Sequence, residues 1–152
     1  MDTKSIFHVG VDVEQSLQLQ VFEGESDHEK CTQQIGWYFN AKEIKKELPY
    51  LSNTPDKIWF ILRSEGIIIG FGSLKPRKKR IEFSNLYVFP EKRGKGYGKL
   101  LIDLRLDYLK TCKKQLYAAV QNHMLVRTYK ARGFTEYRKT KNYTFMRREC
   151  LK

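Results

Sequence analysis

Hydrophobic and polar positions along the chain predict several strands. Residues Leu17 to Phe22 alternate apolar and polar side chains and end shortly before a glycine, which is typical of a half-buried strand. Two apolar runs, Ile58–Arg63 and Ile67–Leu74, flank the turn residues Glu65 and Gly66 and predict a β-hairpin. Three further apolar segments predict strands at Ile81–Phe89, Leu116–Val120 and Tyr143–Met146.

Helical patterns alternate with these strands. Ser26 and Glu29 have the spacing of a capping box, in which each side chain bonds the backbone N–H of the other residue, so a helix is predicted to begin there. After Gly96 the apolar residues recur with the i, i+3, i+4, i+7 spacing of a helix that packs on a core. Gly133 has the position of a glycine that ends a helix. The predicted helices cover about residues 26–35, 41–48, 97–111 and 122–132.

The order of these elements predicts one α+β domain over residues 1–152, with helices packed on a mixed sheet. A chain of this length buries enough core to fold without disulfides or metal. No apolar run is long enough to span a bilayer, and Met1 to Lys4 lack the basic and apolar regions of a signal peptide. The three cysteines, Cys31, Cys112 and Cys150, lack Cys-x-x-Cys spacing and indicate reduced thiols in the cytoplasm rather than a metal site.

The most informative segment follows the predicted strand Ile81–Phe89. A proline ends that strand, and Arg93–Gly98 reads Arg-Gly-Lys-Gly-Tyr-Gly before the next helix begins. Glycines let the backbone turn tightly and bring its N–H groups to a phosphate without interference from a Cβ atom. The helix N-terminus adds N–H donors and the positive end of a dipole, and Arg93, Lys95 and Lys99 add mobile positive charge. The segment therefore predicts a pyrophosphate-binding loop.

The neighbouring residues exclude two other kinds of glycine-rich loop. A dinucleotide-binding Gly-x-Gly-x-x-Gly would need glycine at Leu101 or at Lys99, depending on which glycine begins the motif. A P-loop needs Gly-Lys-Ser/Thr, whereas Gly98 and Lys99 are followed by Leu100. The plainer alternative is a glycine-rich turn that binds nothing.

Arg-x-x-Gly-x-Gly between a strand and a helix resembles the acetyl-coenzyme A loop of the GNAT superfamily of N-acetyltransferases. The resemblance covers about Ile67 to Phe145 and implies a GNAT-type α+β fold with a central mixed, mostly antiparallel sheet. It implies that acetyl-coenzyme A binds where the strands Ile81–Phe89 and Leu116–Val120 splay apart. It assigns the pyrophosphate to Arg93, Gly94, Lys95, Gly96, Tyr97, Gly98 and Lys99.

A second motif, Asn-x6-Tyr-x3-Gly-Phe, is formed by Asn122, Tyr129, Gly133 and Phe134. It resembles the Asn-x-x-Ala-x-x-Leu-Tyr-x-x-x-Gly-Phe segment of many GNAT enzymes, with Leu and Thr in place of the usual Ala and Leu. In the family this tyrosine can protonate the leaving thiolate, so the resemblance makes Tyr129 the general acid. A half-buried core tyrosine is the alternative. Asn122 can serve both as a helix N-cap and as a coenzyme ligand.

The strand before the loop supplies the third part of the resemblance. The backbone of Leu86, Tyr87 and Val88 occupies the place where family members pair with pantetheine as with an extra strand. The resemblance also places the N–H of Leu86 where it can polarise the thioester carbonyl and stabilise the oxyanion that forms there.

Glu82 is the candidate general base. It lies eleven residues before Arg93, a spacing similar to that of the base in histone-type family members. Two-residue alternation places it on the side of Leu86 and Val88 unless a bulge intervenes. An ion pair with Lys79 or Arg80 at the strand end is an equal alternative.

The chain is strongly basic. Its 29 Lys and Arg residues against 17 Asp and Glu give a net charge of +12, concentrated after Lys75. One cluster spans Lys75–Arg80, and a second spans Arg127–Arg148. Such a surface attracts polyanions such as coenzyme A, nucleic acid or acidic protein segments, and a solvated basic face is an equal interpretation.

Together the motifs predict an enzyme that transfers the acetyl group of acetyl-coenzyme A to a primary amine by direct attack in a ternary complex. The amine belongs to a small molecule, a protein or an aminoacyl-tRNA, and neither a metal nor a membrane is involved. The alternatives are a GNAT-fold protein that acts on or binds nucleic acid, and a non-catalytic regulator that senses coenzyme A. The sequence leaves a monomer and a homodimer equally open.

Overall fold

The computed structural model describes residues 6–12 and 15–149 and has a mixed α+β architecture. The strands are β1 (Ile6–Asp12), β2 (Gln15–Glu23), β3 (Ile58–Ser64), β4 (Ile67–Pro76), β5 (Arg80–Val88), β6 (Gln115–Val120), β7 (Thr135–Lys139) and β8 (Thr144–Arg148). The α-helices are α1 (Gly24–Ile35), α2 (Lys42–Glu47), α3 (Tyr97–Tyr108) and α4 (His123–Ala131). Two short 3₁₀ helices cover Gly36–Asn40 and Pro90–Lys92. The predictions for Met1–Lys4 and for Cys150 lie outside the described residues.

The eight strands form one sheet in the order β1-β2-β3-β4-β5-β6-β8-β7. Every neighbouring pair is antiparallel except β5 and β6, which are parallel. The predicted mixed, mostly antiparallel sheet is therefore confirmed. The parallel pairing begins at Arg80 and Gln115 and ends at Phe83 and Ala118. Beyond that point β5 and β6 no longer pair, and the sheet opens between them.

Two hydrophobic cores cover the two faces of the sheet. Helices α3 and α4 lie on one face, where their core includes Phe60, Leu74, Phe83, Leu101 and Met146. Helix α1 lies on the opposite face, and its core is built largely from aromatic side chains such as Phe39, Trp59, Phe71 and Tyr87. Among the described residues, no helix is long and apolar enough to cross a membrane.

A bulge interrupts β5 just before the segment predicted to bind pantetheine. Three residues of β4, Phe71 to Ser73, lie opposite four residues of β5, Ser84 to Tyr87, so β5 has one extra residue. The extra residue is accommodated at Asn85, whose φ of 56° lies in the left-handed region that asparagine tolerates better than most residues. The bulge shifts the alternation of side chains along the rest of the strand.

The shifted alternation corrects one prediction about Glu82. Phe83 lies in the α3-side core before the bulge, and Leu86 and Val88 pack against the same core after it. Glu82 precedes Phe83 and therefore faces the opposite side of the sheet. The expectation that it shares a side with Leu86 and Val88 is wrong, because the extra residue reverses the alternation between them.

The start of α1 also differs from the prediction. The helix begins at Gly24, so the capping box expected from Ser26 and Glu29 does not mark its start. Instead the N–H of Glu23 donates to Oδ2 of Asp27 at 2.7 Å, and the hydroxyl of Ser26 donates to the Glu23 carbonyl at 3.0 Å. The Asp27 carboxylate thus satisfies the backbone N–H of the residue before the helix.

Candidate active site

The glycine-rich loop has the backbone shape that the sequence predicts. Gly94 and Gly96 have φ values of 80° and 87°, a region that residues with side chains rarely occupy. A Cβ atom at either position would meet nothing within 4 Å. These glycines are therefore required by the backbone conformation rather than by crowding, and the space around the loop is open to a ligand.

The loop leads directly into the N-terminus of α3. Gly96 is the N-cap, and the N–H of Leu100 donates to its carbonyl at 3.0 Å as the first bond of the helix. The N–H groups of Gly98 and Lys99 precede that bond, so no carbonyl of the helix accepts them. Donors at the positive end of a helix dipole, beside two glycines with left-handed backbone, fit a pyrophosphate.

The side chain of Arg93 lies across the entrance to the loop. Its Nε donates to the Val88 carbonyl at 2.7 Å, and its Nη2 donates to both carboxylate oxygens of Glu47 on α2 at 2.9 Å. The guanidinium also lies 5.2 Å from the centre of the Tyr87 ring. Both members of the ion pair are partly exposed, so the pair contributes little stability and an anion can compete for Arg93.

The β5 segment predicted to bind pantetheine borders the opening in the sheet. Side chains of Leu86 and Val88 pack on the α3-side core, and Tyr87 is buried in the α1-side core. The strand is thus fixed from both faces while its edge toward β6 has no strand partner after Phe83. An open strand edge with fixed side chains can accept an extended ligand as an additional strand.

Tyr129, on α4, packs against Phe83, the last residue of β5 that pairs with β6. It is only 3% exposed, and its ring packs edge-on against Phe83 and Phe134, with centroids 6.3 Å and 5.1 Å away. Its hydroxyl oxygen accepts a hydrogen bond from Nη2 of Arg105 at 3.3 Å. Asn122 caps the same helix, since its Oδ1 accepts the N–H of Met124 at 2.9 Å. The coenzyme-binding role of Asn122 stays a prediction.

Glu82 is held in a surface ion pair. Its Oε2 accepts a hydrogen bond from Nε of Arg80 at 3.0 Å and forms ion pairs with Nη2 of Arg80 at 2.7 Å and with Nε of Arg77 at 3.0 Å. The alternative of a strand-end partner is thus realised with Arg80, and with Arg77 rather than Lys79. The role of Glu82 as general base stays a prediction.

A buried lysine that sequence reasoning missed supports the bulge. Lys57 is 7% exposed, and its Nζ donates to the Ser52 carbonyl at 2.8 Å and to Oδ1 of Asn85 at 2.9 Å. The same Asn85 oxygen accepts the Ser73 hydroxyl at 3.1 Å. Burial, reinforced by the charge of Lys75, lowers the pKa of Lys57 from 10.5 to about 8. Nothing in the sequence distinguishes a buried lysine before an apolar strand from a solvent-exposed lysine at the same place.

Comparison with protein families identifies this arrangement of loop, strand and helix. The model of the Acetyltransferase (GNAT) family matches residues 20–134. The chain belongs to the GNAT family. A search of curated proteins finds no match. Membership of this family indicates an enzyme of acetyl transfer, and the match covers the loop, the opened strands and α4.

Solved structures share the GNAT fold of this chain. Escherichia coli ElaA covers 88% of this chain and 99% of its own, with a TM-score of 0.67 at 15% identity. An acyl-CoA N-acyltransferase from Pseudomonas aeruginosa covers 88% and 99%, with a TM-score of 0.67 at 17% identity. The N-acetyltransferase PseH of Campylobacter jejuni in complex with acetyl coenzyme A covers 88% and 98%, with a TM-score of 0.55 at 24% identity. At these identities the likeness shows the fold alone.

A polar cavity lies elsewhere on the α1 side of this GNAT fold. It has a volume of about 430 Å³ and is lined by Gln18, Gln20, Gln34 and Arg63. Gln20 connects the lining, because its Oε1 accepts from Nε of Arg63 and its Nε2 donates to Oε1 of Gln34, both at 3.2 Å. The cavity is built on α1, β2 and β3, so no predicted site residue lines it.

Lys57 leads to a prediction for the pH dependence of stability. Its pKa is about 8 in the folded chain and lies near 10.5 when the side chain is solvated. Between these pH values the unfolded chain binds the additional proton, so the free energy of unfolding rises with pH by up to about 1.4 kcal/mol per pH unit. Below pH 8 both states are protonated and the slope vanishes.

Urea unfolding of the wild type and of Lys57→Met between pH 7 and pH 10.5 checks this expectation. Taking the difference between the two proteins removes the contribution of the other titrating groups. The wild type is expected to gain stability relative to the variant as the pH rises above 8. A stability difference that is constant over the whole range would contradict the lowered pKa.

Proposed function

We propose that this GNAT protein is a cytoplasmic, single-domain N-acetyltransferase that transfers the acetyl group of acetyl-coenzyme A to a primary amine. One observation carries the proposal. The edge of β5 is unpaired between Phe83, against which the Tyr129 ring packs, and the end of the strand, which leads into the glycine-rich loop at Gly94–Gly98, and we propose that this edge joins a pyrophosphate site to a proton donor. A related fold, that of PseH, has been solved with acetyl coenzyme A bound.

Both backbone and side-chain groups contribute to the proposed binding of acetyl-coenzyme A. The loop N–H groups and the N-terminus of α3 receive the pyrophosphate, and Arg93, Lys95 and Lys99 add charge around it. The backbone of Leu86–Val88 receives the pantetheine chain. Asn122 adds its amide at the N-terminus of α4, where its Oδ1 is already held by a backbone N–H.

Direct transfer to the amine fits the two cysteines of the described residues better than an acyl-enzyme does. Cys31 is buried in the α1-side core, and burial, with a smaller contribution from Asp27, raises its pKa to about 12. A thiol of this kind is not a nucleophile at neutral pH. Cys112 lies beyond the C-terminal end of α3, whereas the coenzyme loop lies at its N-terminal end.

Tyr129 is the proton donor in the proposed transfer. The amine nitrogen forms a bond to the acetyl carbon, the carbon–sulfur bond breaks, and the sulfur takes a proton from the Tyr129 hydroxyl. The nitrogen releases one proton, which passes through its acceptor to solvent, and Tyr129 takes a proton from solvent in turn, so the products are an N-acetyl amine and a free thiol. Glu82 is the proposed acceptor of the nitrogen's proton, and to act it must exchange its ion pairs with Arg77 and Arg80 for the amine.

A thiol-release assay with acetyl-coenzyme A and a panel of amines tests the proposed function. The panel contains polyamines, amino sugars, peptides with free N-termini or lysines, and aminoacyl-tRNAs. Acceptor-dependent release of the thiol, together with mass gain of an acetyl group on the acceptor, is the expected result. Tight coenzyme binding without release for any acceptor would instead identify a non-catalytic regulator.

A second candidate, an acceptor attached to RNA, is favoured by one face of the sheet. Leu116, Ala118 and Met146 point into the α3-side core, so the intervening side chains of β6 and β8 face the other way. Each aromatic ring there has an arginine 4.3–5.1 Å from its centre. This aromatic–arginine face consists of Tyr117 with Arg80, Phe145 with Arg138, and Tyr137 with Arg147.

The combination of rings and guanidinium groups suits a partner that is both planar and anionic. Aromatic side chains stack on nucleobases, while arginines contact phosphates and stack as well. The face begins at Arg80, where β5 leaves the basic turn 75–80, so it is continuous with the most basic part of the surface. Inhibition of transfer by single-stranded RNA that exceeds inhibition by heparin at equal charge would support this candidate. Equal inhibition would favour an acceptor selected by charge alone.

The basic turn itself leads to a prediction about the acceptor. Lys78 and Lys79 are exposed and form no ion pair within the described residues, unlike Lys75, Arg77 and Arg80. Reversing both charges, in Lys78→Glu with Lys79→Glu, is expected to raise the KM of an acidic acceptor and to leave the Kd of coenzyme A unchanged. The effect should shrink as salt rises, because exposed charges are screened over about 8 Å at physiological ionic strength.

Steady-state kinetics at low and high salt measure this effect. The matched control is Lys110→Glu with Lys130→Glu, which changes the net charge equally at the turn after α3 and on α4. Control kinetics should resemble those of the wild type. If the Lys78 and Lys79 variant also keeps its KM at low salt, the turn is an ordinary solvated one.

A further inference from the structure

Arg105 is a charged residue in the middle of the α3-side core. It lies on α3 and has no exposed surface. Within residues 17–149 no aspartate or glutamate forms an ion pair with it. Burying an unpaired charge is costly, and an apolar residue would serve packing alone at least as well. The stability of the fold therefore does not explain why a guanidinium lies at this position.

Each of the three guanidinium nitrogens of Arg105 donates to an oxygen. Nη1 donates to the Ser73 carbonyl at 2.9 Å, Nε donates to the Leu101 carbonyl at 3.2 Å, and Nη2 donates to the Tyr129 hydroxyl at 3.3 Å. The guanidinium also lies 4.8 Å from the centre of the Phe83 ring. Burial lowers the pKa of Arg105, and the neighbouring Tyr129 opposes that effect. Arginine stays protonated under such conditions.

The chain makes room for this side chain at Gly72 on β4. A Cβ atom at Gly72 would come within 3.2 Å of both Cζ and Nε of Arg105, closer than nearly all such contacts. Gly72 has an ordinary extended φ, so the backbone does not require glycine there. The missing side chain lets the guanidinium lie flat between α3 and the sheet, within reach of Tyr129.

The direction of the Arg105–Tyr129 hydrogen bond follows from chemistry. A guanidinium has no acceptor, so the Tyr129 oxygen accepts and its own hydrogen is not used in this bond. Among the described residues the Tyr129 hydroxyl has no second hydrogen bond. The phenol is thus held by its oxygen with its proton available, and the adjacent positive charge stabilises the negative charge that develops as the proton leaves.

We propose that Arg105 is a positioning residue for the general acid Tyr129. It orients the Tyr129 hydroxyl toward the opening between β5 and β6 and stabilises the phenolate that forms when the proton passes to the thiolate sulfur. The phenolate is neutralised when it takes a proton from solvent. This inference rests on the proposed function, since it needs Tyr129 to act as the acid.

A double-mutant cycle with Arg105→Met and Tyr129→Phe tests the proposal. Methionine keeps most of the volume and removes the charge and all donors, and replacing a buried charge by an apolar residue is commonly tolerated. Arg105→Met is expected to lower kcat on the order of 10- to 100-fold, as for loss of a hydrogen bond to a charged group. In the Tyr129→Phe background the same change is expected to lower kcat by less than about twofold, because its target is already gone.

Three further measurements separate positioning from packing. Calorimetry is expected to give an unchanged Kd for coenzyme A in every variant. Arg105→Lys, which keeps the charge with a different donor geometry, is expected to restore part of kcat, and its effect should also vanish with Tyr129→Phe. The matched control is Arg148→Gln, since Arg148 donates to the Arg132 carbonyl and lies over Phe134 without contacting Tyr129. The fold-losses in kcat of Arg148→Gln and Tyr129→Phe should multiply in the double variant.

If the fold-losses in kcat of Arg105→Met and Tyr129→Phe simply multiply in the double variant, the proposal is overturned. An Arg105→Met variant with the kcat of the wild type would overturn it as well. If Arg105→Met does not fold, the cycle with Arg105→Lys decides between the same two outcomes. A failure of the underlying function is distinguishable, because Tyr129→Phe alone would then leave kcat unchanged. In that case Arg105 and Tyr129 form a core pair without a role in transfer.

Discussion

Replacing Tyr129 by phenylalanine is expected to lower kcat by about 10²- to 10⁴-fold, the range of a positioned general acid. The change removes one hydroxyl and keeps the ring, whose packing against Phe83 and Phe134 holds that part of α4 in the core. The Kd of coenzyme A should therefore stay the same, and the loss should appear in kcat rather than in binding. Stopped-flow thiol release with saturating acceptor and calorimetry measure the two quantities.

Tyr108→Phe is the matched control for the hydroxyl deletion. The Tyr108 hydroxyl bonds Glu23 at the far end of α3, away from the loop and the opening in the sheet. Its removal should leave kcat unchanged. An unaltered kcat in Tyr129→Phe, with the physiological acceptor, would assign Tyr129 to the core alone.

Replacing Gly96 by valine is expected to abolish coenzyme A binding while the protein stays folded. Gly96 has a φ of 87°, which a β-branched residue does not adopt without strain, so the loop must change its shape. The added side chain would meet no atom within 4 Å, so the loss comes from the backbone and not from a clash within the protein. Calorimetric titration with coenzyme A, together with the urea unfolding midpoint, measures binding and folding separately.

Gly66→Val is the control for backbone strain. Gly66 lies in the β3–β4 turn with a φ of 80°, and a Cβ atom there would also meet nothing within 4 Å. The same substitution at a turn remote from the loop should cost stability without costing affinity. Normal coenzyme binding by Gly96→Val would show that the loop is misassigned.

The sequence predicted the parts of this fold whose signals are local. Gly94 and Gly96 lie between a strand and a helix, where closely spaced glycines indicate left-handed backbone, and the structure has that backbone at both positions. The apolar runs of β3 to β6 are strands because their residues face a core on one side or on both. Asn122 was recognisable as an N-cap from its position before an apolar-periodic segment, and its side chain makes that bond.

Other features depend on contacts that no local pattern contains. The edge strand β7 is exposed along its length, so its residues have no apolar alternation to reveal it. The extra residue at Asn85 is identifiable only from the register of β5 against β4, and it reversed the expected side of Glu82. Arg105 occupies what reads as a polar position of an amphipathic helix, and its burial requires the space left by Gly72.

The central claim is that the segment Arg93–Lys99 binds the pyrophosphate of acetyl-coenzyme A. Calorimetric titration of the wild-type protein with acetyl-coenzyme A and, separately, with S-acetylpantetheine tests it most directly. The two ligands share the thioester and the pantetheine chain, and only the first carries the pyrophosphate with its 3′-phosphoadenosine group. We expect one site with micromolar affinity for acetyl-coenzyme A and no measurable binding of S-acetylpantetheine. Equal affinity for both ligands, or no binding of acetyl-coenzyme A, would contradict it.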